Sequence, residues 1–344
     1  MTPRPVVSKI DRIGLALVAL FLAWVGFVAL LTERSPWAAI ATIVLSTAAY
    51  ALGRAGTRLL ASWLIPAVIM LLASAVYLQS PAGTLSNLSS QGFLGYANAK
   101  SAFFVQAAFA TAMIVAGTRT ALVGVLSLPA FALFVMVPIH ARSLGGFMSS
   151  VLLLPALIVA AFGQGRRAAI VLAAVVALGG VTTSFALAAE FASGRDSDMK
   201  RRIAERMDPG RAAVWADSYR LIRDHPVLGV GPGGFGENSP TAAEERDLRW
   251  AHNEFLQQGA ETGLIGFALL AGLVAWLFWR LWNAGTAAAA VAALAVSSLV
   301  IHACAEYLFH FPLLPAITAA LAGSVSSPAH RGLPASRPDN RAKR

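Results

Sequence analysis

The residues able to do chemistry in this chain are few, and most of them gather in one stretch. His252-Asn253 stands nine residues ahead of Gly263-Leu264-Ile265-Gly266. A histidine with a pKa near neutrality takes and returns protons under physiological conditions. His252 is therefore a general-base candidate, with Asn253 placed to orient it or to cap the neighbouring turn. Arg211 and Arg142 stay charged and present planar forks that match phosphate oxygens. Between Arg211 and His252 lie five glycines in eight positions, 229–236. Such a backbone either turns sharply or approaches a ligand closely. No Gly-Lys-Ser/Thr follows, so the run is not a nucleotide-binding loop. It reads first as a rigid turn; if its N–H groups instead face a phosphate, Gly231 and Gly233 are the supporting positions. His302 and Glu306 are four apart, one face of a helix end, and ionisable groups at membrane depth often mark a site. Asp196-Ser197-Asp198 has the form of a divalent-ion motif but suits a helix start, where serine and aspartate cap. Cys304, the single cysteine, excludes a disulfide and a cysteine metal site. No metal ligand and no cofactor is assigned.

The elements that must position these groups are membrane helices. Of 344 residues 57% are hydrophobic and 13% charged, about half the usual share of roughly 25%; mean hydropathy is +0.66. A span needs about 20 apolar residues. Ten stretches qualify: 13–31, 37–52, 59–78, 101–117, 120–139, 144–162, 168–189, 263–283, 286–303 and 305–324. The fold class is all-α, a polytopic helical membrane protein of about ten transmembrane helices. Fourteen basic residues fall in the termini and even-numbered connections, against Arg34, Lys100 and Arg142 in the short odd-numbered ones. By the positive-inside rule both termini are cytoplasmic. The net charge of +10 is thus a record of topology. No nucleic-acid partner is expected, and the basic tail is placed to meet anionic membrane lipid.

Four regions follow: a seven-span bundle (1–189), a long outer loop (190–262), a three-span bundle (263–324) and a basic tail (325–344). The loop holds 10 of the 27 basic and 13 of the 17 acidic residues, and a loop of this length is usually functional. It predicts a polar helix from Ser197 to Met207, an Asp208 cap, and an amphipathic helix from Arg211 to Asp224. Trp215, Tyr219 and Ile222 line one face of that helix, and His225-Pro226 ends it. A further helix is expected over 241–261, leading into the eighth span.

The spacing of these residues resembles the O-antigen ligase family. His252-Asn253 with Gly263 and Gly266 is similar to its His-Asn-x9-Gly-x-x-Gly signature. Arg211, Trp215 and the run from Asp224 to Gly231 resemble its Arg…Trp…His-Pro-Leu-x-Gly-x-Gly stretch. Gly95-Tyr96-Ala97-Asn98 resembles a Gly-Tyr-x-Asn segment, Arg142 to Gly146 a variant Ser-Arg-Gly segment, and Glu306 to Pro312 an acidic–aromatic–proline segment. The resemblance covers about 90–325. Family members often have about twelve spans, two more than here. It implies transfer of a glycan from a polyprenyl-diphosphate donor to a glycan or lipid A-core acceptor, at the periplasmic face of the bacterial inner membrane. Polysaccharide assembly proteins would be further partners. Arg142 and Arg211 would stabilise charge on the leaving diphosphate, His252 would take the hydroxyl proton, and inversion without a metal is the expected course.

Two other classes compete. A transporter or flippase for a lipid-linked substrate should show internal repeats or interrupted helices with polar midplane residues, and no clear repeat is present. A scaffold would tolerate loss of His252 and Arg211. Within the family, O-antigen or exopolysaccharide polymerase, O-antigen ligase and protein O-oligosaccharyltransferase share the same chemistry. The segment Glu306 to Pro312 and the modest length lean toward polymerase.

Overall fold

The computed structural model describes residues 8–59, 61–79, 94–118, 121–141, 143–195, 198–205 and 207–325. Every regular element among them is helical. Ser8 and Asp11 form a reciprocal capping box that starts α1 (Lys9–Thr32). The chain then runs through α2 (Trp37–Leu59), α3 (Leu64–Leu78), α4 (Ala97–Thr118) and α5 (Ala121–His140). The 144–162 stretch is two short helices, α6 (Leu144–Ser150) and α7 (Leu153–Phe162), and α8 follows (Arg166–Ala192).

The long loop folds into α9 (Asp198–Ala204), α10 (Pro209–Asp224), α11 (Phe235–Asn238) and α12 (Pro240–Glu244). Asp208 caps α10 through the Gly210 and Arg211 amides, and His225 ends it. Trp215 and Ile222 are buried as the spacing predicts, in a small core with Phe235, Leu248 and Leu256. The helix expected over 241–261 is not continuous. Ser239 caps α12, Glu245 is extended, and Asn253 starts a new helix. That helix, α13 (Glu254–Ala284), runs on into the eighth apolar stretch. The expected boundaries at 189/190 and 262/263 thus fall inside α8 and α13. Next come α14 (Ala287–Ala303), a 3-10 turn (Leu308–His310) and α15 (Leu313–Val325). The tenth stretch therefore begins later than the sequence predicts, because residues 304–312 form the turn.

Among the described residues seven helical segments are long and apolar enough to cross a membrane: α1, most of α2, α4, most of α5, α6 with α7, α8 and α13. Shorter apolar helices are α3, α14 and α15. The protein is multi-pass, with seven candidate spans and three shorter apolar helices among the described residues. At its centre stand α4 and α14, buried along nearly their whole length. Alanine makes this possible: Ala289, Ala290, Ala292, Ala293 and Ala295 are each at most 1% exposed, and small side chains let helix backbones approach. Round them pack α2 on α15, α1 on α13, and α8 on α14. At one end Asp11 joins three helices, 2.7 Å from Arg54 on α2 and 3.3 Å from Arg280 on α13.

Candidate functional site

At the other end of the bundle, three separate segments converge on one carboxylate. Glu306 lies in the turn after α14, 2% exposed. Its Oε2 accepts from the Tyr96 hydroxyl (2.5 Å) and sits 3.2 Å from His252 Nδ1. Its Oε1 accepts from Asn98 Nδ2 (2.5 Å) and Arg211 Nη2 (2.6 Å). Arg211 also donates from Nη1 to the Ala305 carbonyl at 3.0 Å. Tyr96 and Asn98 come from the start of α4, Arg211 from the first turn of α10, and His252 from the loop before α13.

Burial alone would raise the Glu306 carboxyl. The hydrogen bond from His252, the Arg211 charge and the Tyr96 hydroxyl outweigh it, and the pKa lies below the ordinary glutamate value. Burial would lower Arg211, but Glu306 overcomes it and holds the guanidinium still more firmly charged. Burial raises Tyr96, and the Glu306 charge raises it further, so the phenol stays protonated and donates.

His252 is held in an uncommon backbone conformation. Its φ is +48°, one of three non-glycine positive values among the described residues. Such strain costs about 1–3 kcal/mol and tends to be kept where function needs it. Asn253 fixes the next step: its Oδ1 accepts from the Phe255 and Leu256 amides at 3.1 Å, and its Nδ2 donates to the Cys304 carbonyl at 2.6 Å. One side chain thereby caps α13 and ties it to the end of α14. Asn253→Ala should lower stability by about 2 kcal/mol, about half from the cap and half from the buried bond. The measurement is the Tm in detergent, and Asn253→Asp, which keeps the cap but loses the amide donor, should fall between.

The nine residues after Asn253 form the first part of α13, which breaks at Gly263 (φ 70°, ψ −177°). A Cβ there would lie 2.0 Å from the Val227 carbonyl oxygen. The turn after α10 closes onto this break, where Leu264 N donates to Pro226 O at 2.8 Å. In the glycine run, Val230 N and Gly231 N donate to the Ala260 and Glu261 carbonyls at 2.9 Å, and Gly233 N to Glu261 Oε2 at 2.8 Å. The run is a turn clasping the end of the first α13 segment. Gly231 and Gly233 (φ 91° and 73°) act there, with these N–H groups directed to α13.

Of the residues chosen from sequence, the structure brings together His252, Arg211, Glu306 and Asn253. His302 lies one turn before Glu306, fully buried, with neither ring nitrogen hydrogen-bonded among the described residues. Its ring packs against α6, where a Cβ on Gly145 would come within 2.5 Å of it. Arg142 and the Asp196-Ser197 part of the acidic motif lie outside the described residues. Tyr96 and Asn98 appeared in the sequence only within a family-like segment; their place just ahead of a span was the available signal.

Fold and site together define a multi-pass membrane protein with a carboxylate-centred polar site at one end of its helix bundle. Residues 102–271 match the O-antigen ligase family. Arg211, His252 and Gly263 lie inside the match; Tyr96, Asn98 and Glu306 lie outside. That match suggests a ligase- or polymerase-type membrane glycosyltransferase, a family whose substrates are a lipid-linked glycan and an acceptor. No curated protein matches the chain.

Proposed function

We propose that this protein transfers a glycan from a polyprenyl-diphosphate donor to an acceptor hydroxyl at the periplasmic face of the inner membrane, as an O-antigen or exopolysaccharide polymerase or an O-antigen ligase. The observation that carries this reading is the single buried carboxylate holding His252 and Arg211 side by side.

An ionised Glu306 only accepts, so His252 donates from Nδ1 and its Nε2 carries the lone pair. Nε2 stands 3.5 Å from the Asp247 carbonyl, which can only accept and so gives this lone pair no hydrogen bond; the lone pair is left for a hydroxyl. The acceptor O–H gives its proton to Nε2 as its oxygen attacks the anomeric carbon. The bond from that carbon to the diphosphate breaks, and the diphosphate departs on its lipid. Arg211, with Arg142 as a second cation, offsets the charge that grows on the leaving oxygens. One displacement inverts the anomeric centre, and no metal takes part.

The test is a surface-glycan profile of a deletion strain complemented with wild type, His252→Ala or Arg211→Ala. Neither variant should restore the glycan, although both reach the membrane. Full rescue by His252→Ala would sink the assignment. Single repeat units in place of long chains indicate a polymerase; finished glycan stranded on its carrier indicates a ligase. Purified wild type should turn over donor in excess chelator.

A further inference from the structure

Proton transfer and charge stabilisation use the polar hub and leave unexplained a cluster of rings beside it. Tyr307 follows Glu306 directly. Its ring lies 5.0 Å from the His252 imidazole, 5.1 Å from Tyr96 and 6.1 Å from Trp250. Trp250 in turn lies 4.0 Å from His310. The large aromatic side chains of the cores, such as Phe103, Phe109 and Phe255, are at most 2% exposed. Trp250, Tyr307 and His310 are each only part-buried. They also carry polar atoms, and the Arg249 guanidinium stands 5.6 Å from the Trp250 ring.

A pyranose ring has an apolar face of C–H groups and a rim of hydroxyls. It fits a surface that offers flat aromatic area with donors and acceptors at its edge. We infer that Trp250 and Tyr307, with His310 and Arg249 at the rim, form the subsite that seats one sugar ring of the glycan next to His252. This rests on the glycosyltransferase reading above. His310 Nδ1 faces Glu254 Oε2 at 3.8 Å, which turns its other nitrogen away from that carboxylate. Glu254 also accepts from the Phe309 amide at 3.1 Å, so the rim is fastened to the first residue of α13. The seated ring belongs to the acceptor or to the donor; both present the same chemistry.

The test uses the full chain in nanodiscs. The probe is the oligosaccharide released by mild acid from the host's surface glycan, read by saturation-transfer NMR without turnover. Ring C–H signals should appear with wild type, persist in Trp250→Phe and vanish in Trp250→Leu. Kinetics on the same variants should show one KM rising about tenfold in Trp250→Leu, the effect of losing one aromatic contact, with kcat nearly unchanged. A rise in acceptor KM assigns the ring to the acceptor, and a rise in donor KM to the donor. His310→Gln, a milder rim change, should raise the same KM about threefold and serves if Trp250→Leu does not fold. Unchanged KM values and unchanged NMR signals would overturn the subsite. A wild type that binds the oligosaccharide yet transfers nothing would count against the glycosyltransferase reading alone.

Discussion

Glu306→Gln should leave the protein in the membrane but lower glycan transfer by about 10²–10⁴-fold, the range for a positioned base lost or held in the wrong tautomer. The reason lies in the inventory of donors. The carboxylate receives Tyr96, Asn98, Arg211 and His252 and offers only acceptors. An amide brings an NH₂ into one of these two positions. On the Oε1 side it would face Arg211, which can never accept. It therefore turns toward Tyr96 and His252, and Nδ1 becomes the acceptor. The proton then sits on Nε2, where the proposed reaction needs a lone pair. Arg211 also loses a charged partner, which should lower stability by about 3 kcal/mol, the low end for a broken buried pair because its side chain keeps some access to water. Transfer of labelled glycan and a thermal melt check the two parts. An enzyme that kept more than about a tenth of wild-type turnover would show that the carboxylate does not set the tautomer.

The same group gives the protein an acid limb. Its pKa is depressed on folding, so its contribution is present above the ordinary glutamate value of 4.5 and is lost as pH falls through the folded value. Glu306→Gln should remove that part of the acid sensitivity.

Gly263→Ala should be the most damaging substitution of a single glycine. At φ 70° and ψ −177° the backbone occupies a region essentially reserved for glycine. The strain is about 1–3 kcal/mol for any other residue, and the methyl group would also meet the Val227 carbonyl at 2.0 Å. Relief requires moving either the turn after α10 or the first segment of α13, and both position the site. A loss above about 4 kcal/mol, or failure to fold, is expected. Gly285→Ala is the control: φ is also positive, at 63°, but nothing stands within 4 Å of the added carbon. It should cost about 1–2 kcal/mol. Equal Tm shifts for the two in detergent would contradict the close approach at Gly263.

Much of this was legible in residue order, where the cause is local. Asp208-Pro209, His225-Pro226 and the Trp215–Ile222 spacing gave α10 with its caps and its buried face. The nine-residue interval after Asn253 is the first α13 segment, from cap to break. The long-range parts were not legible. Glu306 is 210 positions from Tyr96, 95 from Arg211 and 54 from His252, and no periodicity links groups so far apart. One helix was expected over 241–261, leading into the eighth span, although Ser239 and Asn253 each begin their own. The 305–324 stretch was apolar enough to pass for a span, yet its first part carries the carboxylate.

The short α14 has one more consequence. Its 17 residues rise about 25 Å, against about 30 Å for the hydrocarbon layer. If its Thr286 end lies at one surface, the turn bearing Glu306 is drawn down to the depth of the opposite headgroups. A diphosphate tethered to a lipid travels at that depth. In the proposed reaction the donor would reach Arg211 by lateral diffusion alone, without lifting its chain out of the bilayer.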